Sequence, residues 1–256
     1  FFHRFGCKES GTAIDFLIKH EGYPFPEAVR ALAERLGIEV QESRDTAQLS
    51  ESDRQKKARD ELYAVNALAA TFWEEQMRKH EHRAFALEEL EKRGLSVEKD
   101  GEILQAFRIG YAPPQWDGLA NFLKAQGISP SAAETVVLLV PRSSGSGYYD
   151  RFRHRLMFAV MDPQGRVVAF SGRSLRDLPE ANEAPEPQTR SALRFIGSGG
   201  ADKGPPPKYI NSPESPIYTK GQMLFGIHQA RHAIRQSGTA VLVEGNFDVV
   251  SLHARK

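Results

Sequence analysis

The apolar run Thr239-Ala-Val-Leu-Val243 leads directly into Glu244-Gly245, and a helix-like stretch begins near Phe247. A short β-branched run bounded by Gly238 and Gly245 reads as a buried parallel strand, and parallel sheets place ligands beyond the carboxyl ends of their strands. Glu244 is therefore a candidate catalytic carboxylate; the alternative is an ordinary turn glutamate in water. A second cluster is basic. Between Arg142 and Arg176 stand seven arginines against two aspartates, with no lysine or glutamate. In Arg151-Phe-Arg-His-Arg155, alternate side chains share one face if the segment is extended. Arg151, Arg153 and Arg155 would then form a row, lengthened by Arg173 on a partner strand. Guanidinium forks match phosphate oxygens, and such a row suits a nucleic-acid backbone. The competing reading is a solvated strand face paired with Asp150, Asp162 and Asp177. His154 points the other way and reads as a packed or polar core histidine. Lys208 and Lys220 are placed to reach phosphate, although lysines before helices are common on any surface.

These residues need elements to position them. Ile14, Leu17 and Ile18 follow a possible cap at Ser10, and Val29, Leu32, Ala33 and Leu36 share a face between Pro26 and Gly37, which predicts two short packed helices. Residues 41–57 are polar and read as a linker. Leu62, Val65, Ala69 and Phe72 recur at helical spacing, and Phe85, Leu87 and Leu90 continue the pattern to Gly94. Asp117 is placed to cap a helix through Leu123, and Ser129-Pro130 to start another. Leu156 to Val160 and Arg166 to Phe170 flank Asp162-Pro-Gln-Gly165, which is turn chemistry for a hairpin. Residues 178–207 are rich in Pro, Glu, Gly and Ser and are expected to form a disordered insertion. A strand at Ile217 to Lys220 and a helix from about Gln222 to Gln236 lead into the run before Glu244. Helices passing into αβ alternation give an α/β (α+β) fold class.

The chain has 256 residues, 40% of them apolar, and a formal net charge of +1. That is enough for a real core, and it excludes a uniformly basic nucleic-acid binder. Its single cysteine excludes an internal disulfide, and no apolar stretch approaches the roughly 20 residues that cross a bilayer. A cytoplasmic protein without membrane contact is expected. The chain opens on Phe1 and closes within a helix-like stretch, so it reads as a fragment.

Phe5-Gly6-Cys7 through Gly11, Ala13-Ile-Asp-Phe16, Phe25-Pro-Glu-Ala-Val29 and Ala33-Glu-Arg-Leu-Gly37 resemble the second half of the zinc-binding domain of bacterial DnaG-type DNA primases. Gly110-Tyr-Ala-Pro-Pro-Gln-Trp-Asp117, Tyr149-Asp-Arg-Phe-Arg-His-Arg-Leu-Met-Phe158, Gly172-Arg173, Lys208-Tyr-Ile-Asn-Ser-Pro-Glu214 and Val243-Glu-Gly-Asn-Phe-Asp-Val249 resemble, in order, its RNA polymerase domain. Several motifs in one order are far more specific than any single one.

The resemblance implies a DNA-directed RNA polymerase that lays short RNA primers on single-stranded DNA from ribonucleoside triphosphates, with a replicative helicase as partner. It makes Glu244 the first acidic residue of a Toprim fold, whose carboxylates hold Mg2+ or Mn2+ for nucleotidyl transfer. It assigns Arg151, Arg153, Arg155, Arg173, Lys208, Asn211 and Lys220 to a basic groove for template and nucleotide phosphates. Tyr148 and Tyr149 are further candidates to stack bases, with core packing the competing use. The implied domains are residues 1–40 from the zinc-binding domain, the linker 41–57, a basic subdomain over 58–237, and the start of Toprim over 238–256. Two departures stand out. Arg4 occupies the position of the third zinc ligand, so Cys7 alone remains and this chain is expected to hold no structural Zn2+. The aspartates that complete the Toprim centre are expected beyond Lys256, and Asp248 reads as part of the following helix. The rivals are a non-catalytic single-strand-binding module and a Toprim nuclease or topoisomerase.

Overall fold

The computed structural model describes residues 2–4, 9–38, 46–143, 146–176 and 207–255. It divides into two compact units, Phe1–Lys56 and Lys57–Lys256.

In the first unit, β1 (Phe2–Arg4) and β2 (Glu9–Gly11) pair antiparallel. Helix α1 (Ala13–Glu21) is capped by Thr12 rather than Ser10. The Asp15 carboxylate accepts from the Thr12 N–H at 2.7 Å while the Thr12 hydroxyl accepts from the Asp15 N–H, a reciprocal box that satisfies two orphan donors. Helix α2 (Phe25–Leu36) packs on α1, buries Ala28 and Ala33, and ends where Gly37 turns left-handed at φ 65°.

The second unit is built around a four-stranded antiparallel sheet in the order β3 (Gly110–Ala112), β6 (Arg155–Met161), β7 (Val167–Ser174), β8 (Tyr209–Asn211). A separate hairpin joins β4 (Leu139–Pro141) to β5 (Tyr148–Asp150). The expected β6–β7 hairpin forms. Asp162 Oδ1 accepts the N–H groups of Gln164 and Arg166 at 3.0 and 2.9 Å, and Gly165 takes φ 87°, so the turn residues supply their own closure. Every residue of β6 is buried because both faces are covered. Met157, Ala159 and Met161 enter a core with Val65 and Trp73 of α3 (Thr46–Lys79). Leu156 and Phe158 enter a second core with Leu90 of α4 (Ala84–Glu91), Phe107 after α5 (Val97–Ala106), and Phe247 of α9 (Asn246–Ala254). Trp73 meets Phe170 edge to face at 4.7 Å, which ties α3 to the middle of the sheet. Helices α6 (Gly118–Ala125) and α7 (Pro130–Thr135) cover the first core, and α8 (Ile227–Ser237) precedes α9.

Three further expectations change. Helix α3 begins at Thr46, inside the stretch read as a linker. Ile217 to Lys220 is no strand; only an isolated bridge joins Ser215 to Tyr218. Residues 239–243 form no strand either, and Val241 and Leu242 are 73% and 80% exposed. A strand exists only when a neighbour accepts its ladder, and every ladder among the described residues is antiparallel and pairs other segments. The expected insertion lies outside the described residues except for Pro207.

Candidate nucleic-acid interface

Residues 151–154 connect β5 to β6 as an irregular loop, so the alternation that would align Arg151, Arg153 and Arg155 does not apply; of the three only Arg155 lies in a strand. The loop is nevertheless fixed. Asp150 N–H donates to the Trp116 carbonyl at 2.7 Å, Arg151 N–H to Leu138 at 2.9 Å, and His154 N–H to Pro113 at 3.1 Å. Phe152 is buried edge-on to Trp73 at 5.7 Å, which pins the loop between its flanking arginines. His154 takes a left-handed φ of 48°, uncommon for a non-glycine residue, and turns the chain into β6. Its ring bonds the Tyr111 hydroxyl at 3.0 Å and the Arg176 carbonyl at 2.8 Å, so it is the polar structural histidine expected.

Asp150 is not the counter-charge of this loop. Its buried carboxylate accepts the Leu119 and Ala120 N–H groups at 2.7 and 2.9 Å and thereby caps α6. Asp117 holds the N-cap position but makes no side-chain cap bond. Burial pushes the Asp150 carboxyl up to about 6, against the opposing pull of those two N–H donors and of Arg153. Asp162 is likewise taken, by Arg166 Nε at 2.7 Å, and Asp177 lies outside the described residues.

The arginines therefore sort into two classes. Arg166, Arg173 and Arg176 are paired to Asp162, Glu89 and Glu88 at 2.7, 2.7 and 2.9 Å. Arg151, Arg153 and Arg155 have no carboxylate within 4.0 Å among the described residues, although each is at least partly buried. The Arg151 Nε is buried without a hydrogen-bond partner there. Arg153 lies over the Trp116 ring at 3.9 Å and beside Tyr149 at 5.3 Å, and donates to the Asp150 carbonyl. Arg155 donates to the carbonyls of Gly172 at 3.0 Å and Pro207 at 3.2 Å. Burial lowers the pKa of all three, that of Arg155 to about 10 with Arg153 adding to the effect. Arg153 and Arg155 are thus buried or half-buried guanidiniums held by rings or carbonyls, and like Arg151 they have no carboxylate within 4.0 Å among the described residues, an arrangement able to accept an anion.

The ladder splits the remaining candidates. Leu156 faces Arg173, which faces Tyr209, so Arg173 stands on the opposite face from Arg155 and does not extend its row. It pairs with Glu89, donates to the Tyr209 hydroxyl at 3.1 Å and lies 5.5 Å from the Phe247 ring. Asn211 shares that face by register and is exposed. Lys208 is exposed beside Pro207, and its carbonyl accepts from Ser174 N–H. Lys220 is exposed on a single 3-10 turn, Lys220–Gln222, with no hydrogen bond or ion pair to the arginine loop. Tyr148 donates to Glu134 at 3.0 Å, which leaves Tyr149 as the ring facing Arg153.

Glu244 is exposed. The Asp248 carboxylate accepts from Gly245 N–H at 3.1 Å and so belongs to the start of α9, as expected. No cluster of three carboxylate, histidine or cysteine side chains suited to a metal occurs among the described residues, so these residues do not by themselves fit a Mg2+ or Mn2+ centre. Cys7 lies outside the described residues. With one cysteine in the sequence and Arg4 in β1, the donor set does not fit a thiolate-based zinc site.

Residues 72–231 match the family model for the N-terminal domain of the DNA primase catalytic core, and residues 1–48 match the CHC2 zinc finger. A DNA primase from Synechococcus elongatus is 39% identical over 255 residues, covering 99% of this chain and 32% of the relative. The chain spans about a third of the length of the curated relatives it matches. The RNA polymerase domain of Mycobacterium tuberculosis primase DnaG, solved with double-stranded DNA, superposes with a TM-score of 0.60 at 31% identity, covering 76% of this chain and 52% of that one. A DnaG primase catalytic domain bound to single-stranded DNA gives 0.55 at 32% identity, covering 78% and 52%. No described helix is long and apolar enough to cross a membrane.

Proposed function

The chain belongs to the DnaG-type DNA primase family, and on that premise we propose that it grips the single-stranded DNA template in a protein that synthesises short RNA primers from ribonucleoside triphosphates. The observation that carries this reading is that three guanidiniums, Arg151, Arg153 and Arg155, have no carboxylate partner among the described residues. The ring and carbonyl contacts of Arg153 and the carbonyl contacts of Arg155 hold positive charge where a phosphate backbone can supply a counter-charge. Lys208 adds an exposed cation on the Arg155 side, while Arg173 and Asn211 lie on the other face, toward Phe247 and the segment carrying Glu244. Lys220 is proposed, on the family resemblance, to belong to the same groove for template and nucleotide phosphates.

Glu244 is proposed as one carboxylate of a centre for Mg2+ or Mn2+, which would stabilise charge during nucleotidyl transfer. The protein is proposed to work in the cytoplasm at the replication fork beside a helicase. The rival is a binding module without catalysis, favoured by the lack, among the described residues, of a three-donor cluster that includes Glu244. In the full-length protein, Glu244→Gln should abolish template-directed RNA synthesis and leave single-strand affinity unchanged. Undiminished synthesis would return Glu244 to a solvated turn and favour the rival.

A further inference from the structure

We propose that Trp116 is a positioning residue: its indole face fixes the Arg153 guanidinium so that the edge of that group stays open to a template phosphate. The inference rests on the reading of the arginine loop as the template grip. Among the cation–ring contacts of the described residues, Arg153 over Trp116 is the shortest, at 3.9 Å. Tyr149 meets Trp116 at 5.6 Å with planes 69° apart, so the guanidinium lies in a corner between two rings. The corner is rigid because Asp150 N–H donates to the Trp116 carbonyl, while Arg153 donates to the Asp150 carbonyl.

A guanidinium offers two kinds of surface. Its five N–H donors lie in the plane and form the fork that phosphate oxygens accept, whereas its faces are available for stacking. A carboxylate, like that on Arg173 or Arg166, holds an arginine by consuming the fork. Arg155 is held by carbonyls, which also consume donors. Trp116 instead restrains Arg153 through its face and leaves most of the fork unbonded among the described residues. A free arginine loses rotamer freedom when a phosphate fixes it, and a pre-stacked one loses less.

The test measures binding of a fluorescent single-stranded oligonucleotide to the full chain by anisotropy. Trp116→Leu, which keeps apolar bulk but removes the π face, should weaken binding about two- to tenfold, the range expected for one immobilised side chain. Trp116→Phe should restore most of that loss. In an Arg153→Ala background, Trp116→Leu should add nothing, because no guanidinium remains to be positioned. An equal loss in both backgrounds would overturn the proposal and make the indole an independent scaffold or base contact. If Arg153→Ala itself leaves affinity unchanged, the grip reading fails together with it. Should Trp116→Leu not fold, fluorinated tryptophan decides the matter, since it weakens the ring quadrupole without changing its shape. Affinity should then fall stepwise with fluorination in the parent and stay flat in Arg153→Ala, and a parent that also stays flat overturns the proposal.

Discussion

The salt dependence of single-strand binding reports directly on which arginines touch phosphate. On single strands, log Kobs falls with log salt with a slope of about 0.7 per phosphate neutralised. Arg151, Arg153 and Arg155 lack carboxylate partners among the described residues and Lys208 is exposed next to Pro207, whose carbonyl holds Arg155, so four cations are taken as available to release counterions. A slope near −2.8 is expected, corresponding to about a fiftyfold loss of affinity between 50 and 200 mM salt. Arg153→Ala should reduce the slope to about −2.1 and that loss to roughly twentyfold. Arg151→Ala should act alike. Arg166→Ala supplies the internal control: its charge is already met by Asp162 at 2.7 Å on the far turn of the hairpin, and its slope should equal that of the parent. Anisotropy titrations of a labelled oligonucleotide at four or five salt concentrations give all these values. Equal flattening by Arg166→Ala and Arg153→Ala would show that the pairing pattern does not select the phosphate contacts, and an unflattened Arg153→Ala would remove the loop from the interface.

Two further outcomes concern the scaffold. A Cβ added at Gly110 would sit 2.7 Å from the Trp73 carbonyl carbon and 2.9 Å from the Glu74 nitrogen, so Gly110→Ala must push β3 away from α3; a loss of about 1–3 kcal/mol in urea unfolding is expected, and a neutral result would contradict this close approach. The buried Asp150 carboxyl titrates near 6 in the fold against a usual value of 3.8, so between about pH 4 and 6 the folded state keeps a proton that the unfolded chain has released. Its contribution to stability therefore falls as pH rises through that window, by on the order of 2–3 kcal/mol, and Asp150→Asn should flatten the profile measured by chemical unfolding from pH 4 to 7.

Much of the framework was legible because it is local. Asp162 reaches donors within four residues and Gly37 closes a helix by its own φ, so each signal and its effect share one stretch of chain, although the cap of α1, expected at Ser10, falls to Thr12. The helical spacing of Leu62, Val65, Ala69 and Phe72 named a buried face correctly. Other features lay beyond such reasoning. The residue that caps α6 is Asp150, some 30 positions away, rather than the adjacent Asp117. Trp116 was visible only as part of a motif, and nothing local announces that its ring meets Arg153.

The sequence by itself determined where positive charge concentrates, where the hairpin turns, and the family to which these motifs belong. Tertiary structure decided which guanidiniums lack a carboxylate partner among the described residues, because Glu89 and Glu88 are brought to Arg173 and Arg176 only by packing, whereas Asp162 meets Arg166 within its own turn. It also separated Arg173 from Arg155, since one position of register carries a side chain to the other face of a sheet. The run before Glu244 has strand composition without a ladder, because hydrogen bonds that make a strand belong to its neighbours and not to its own residues.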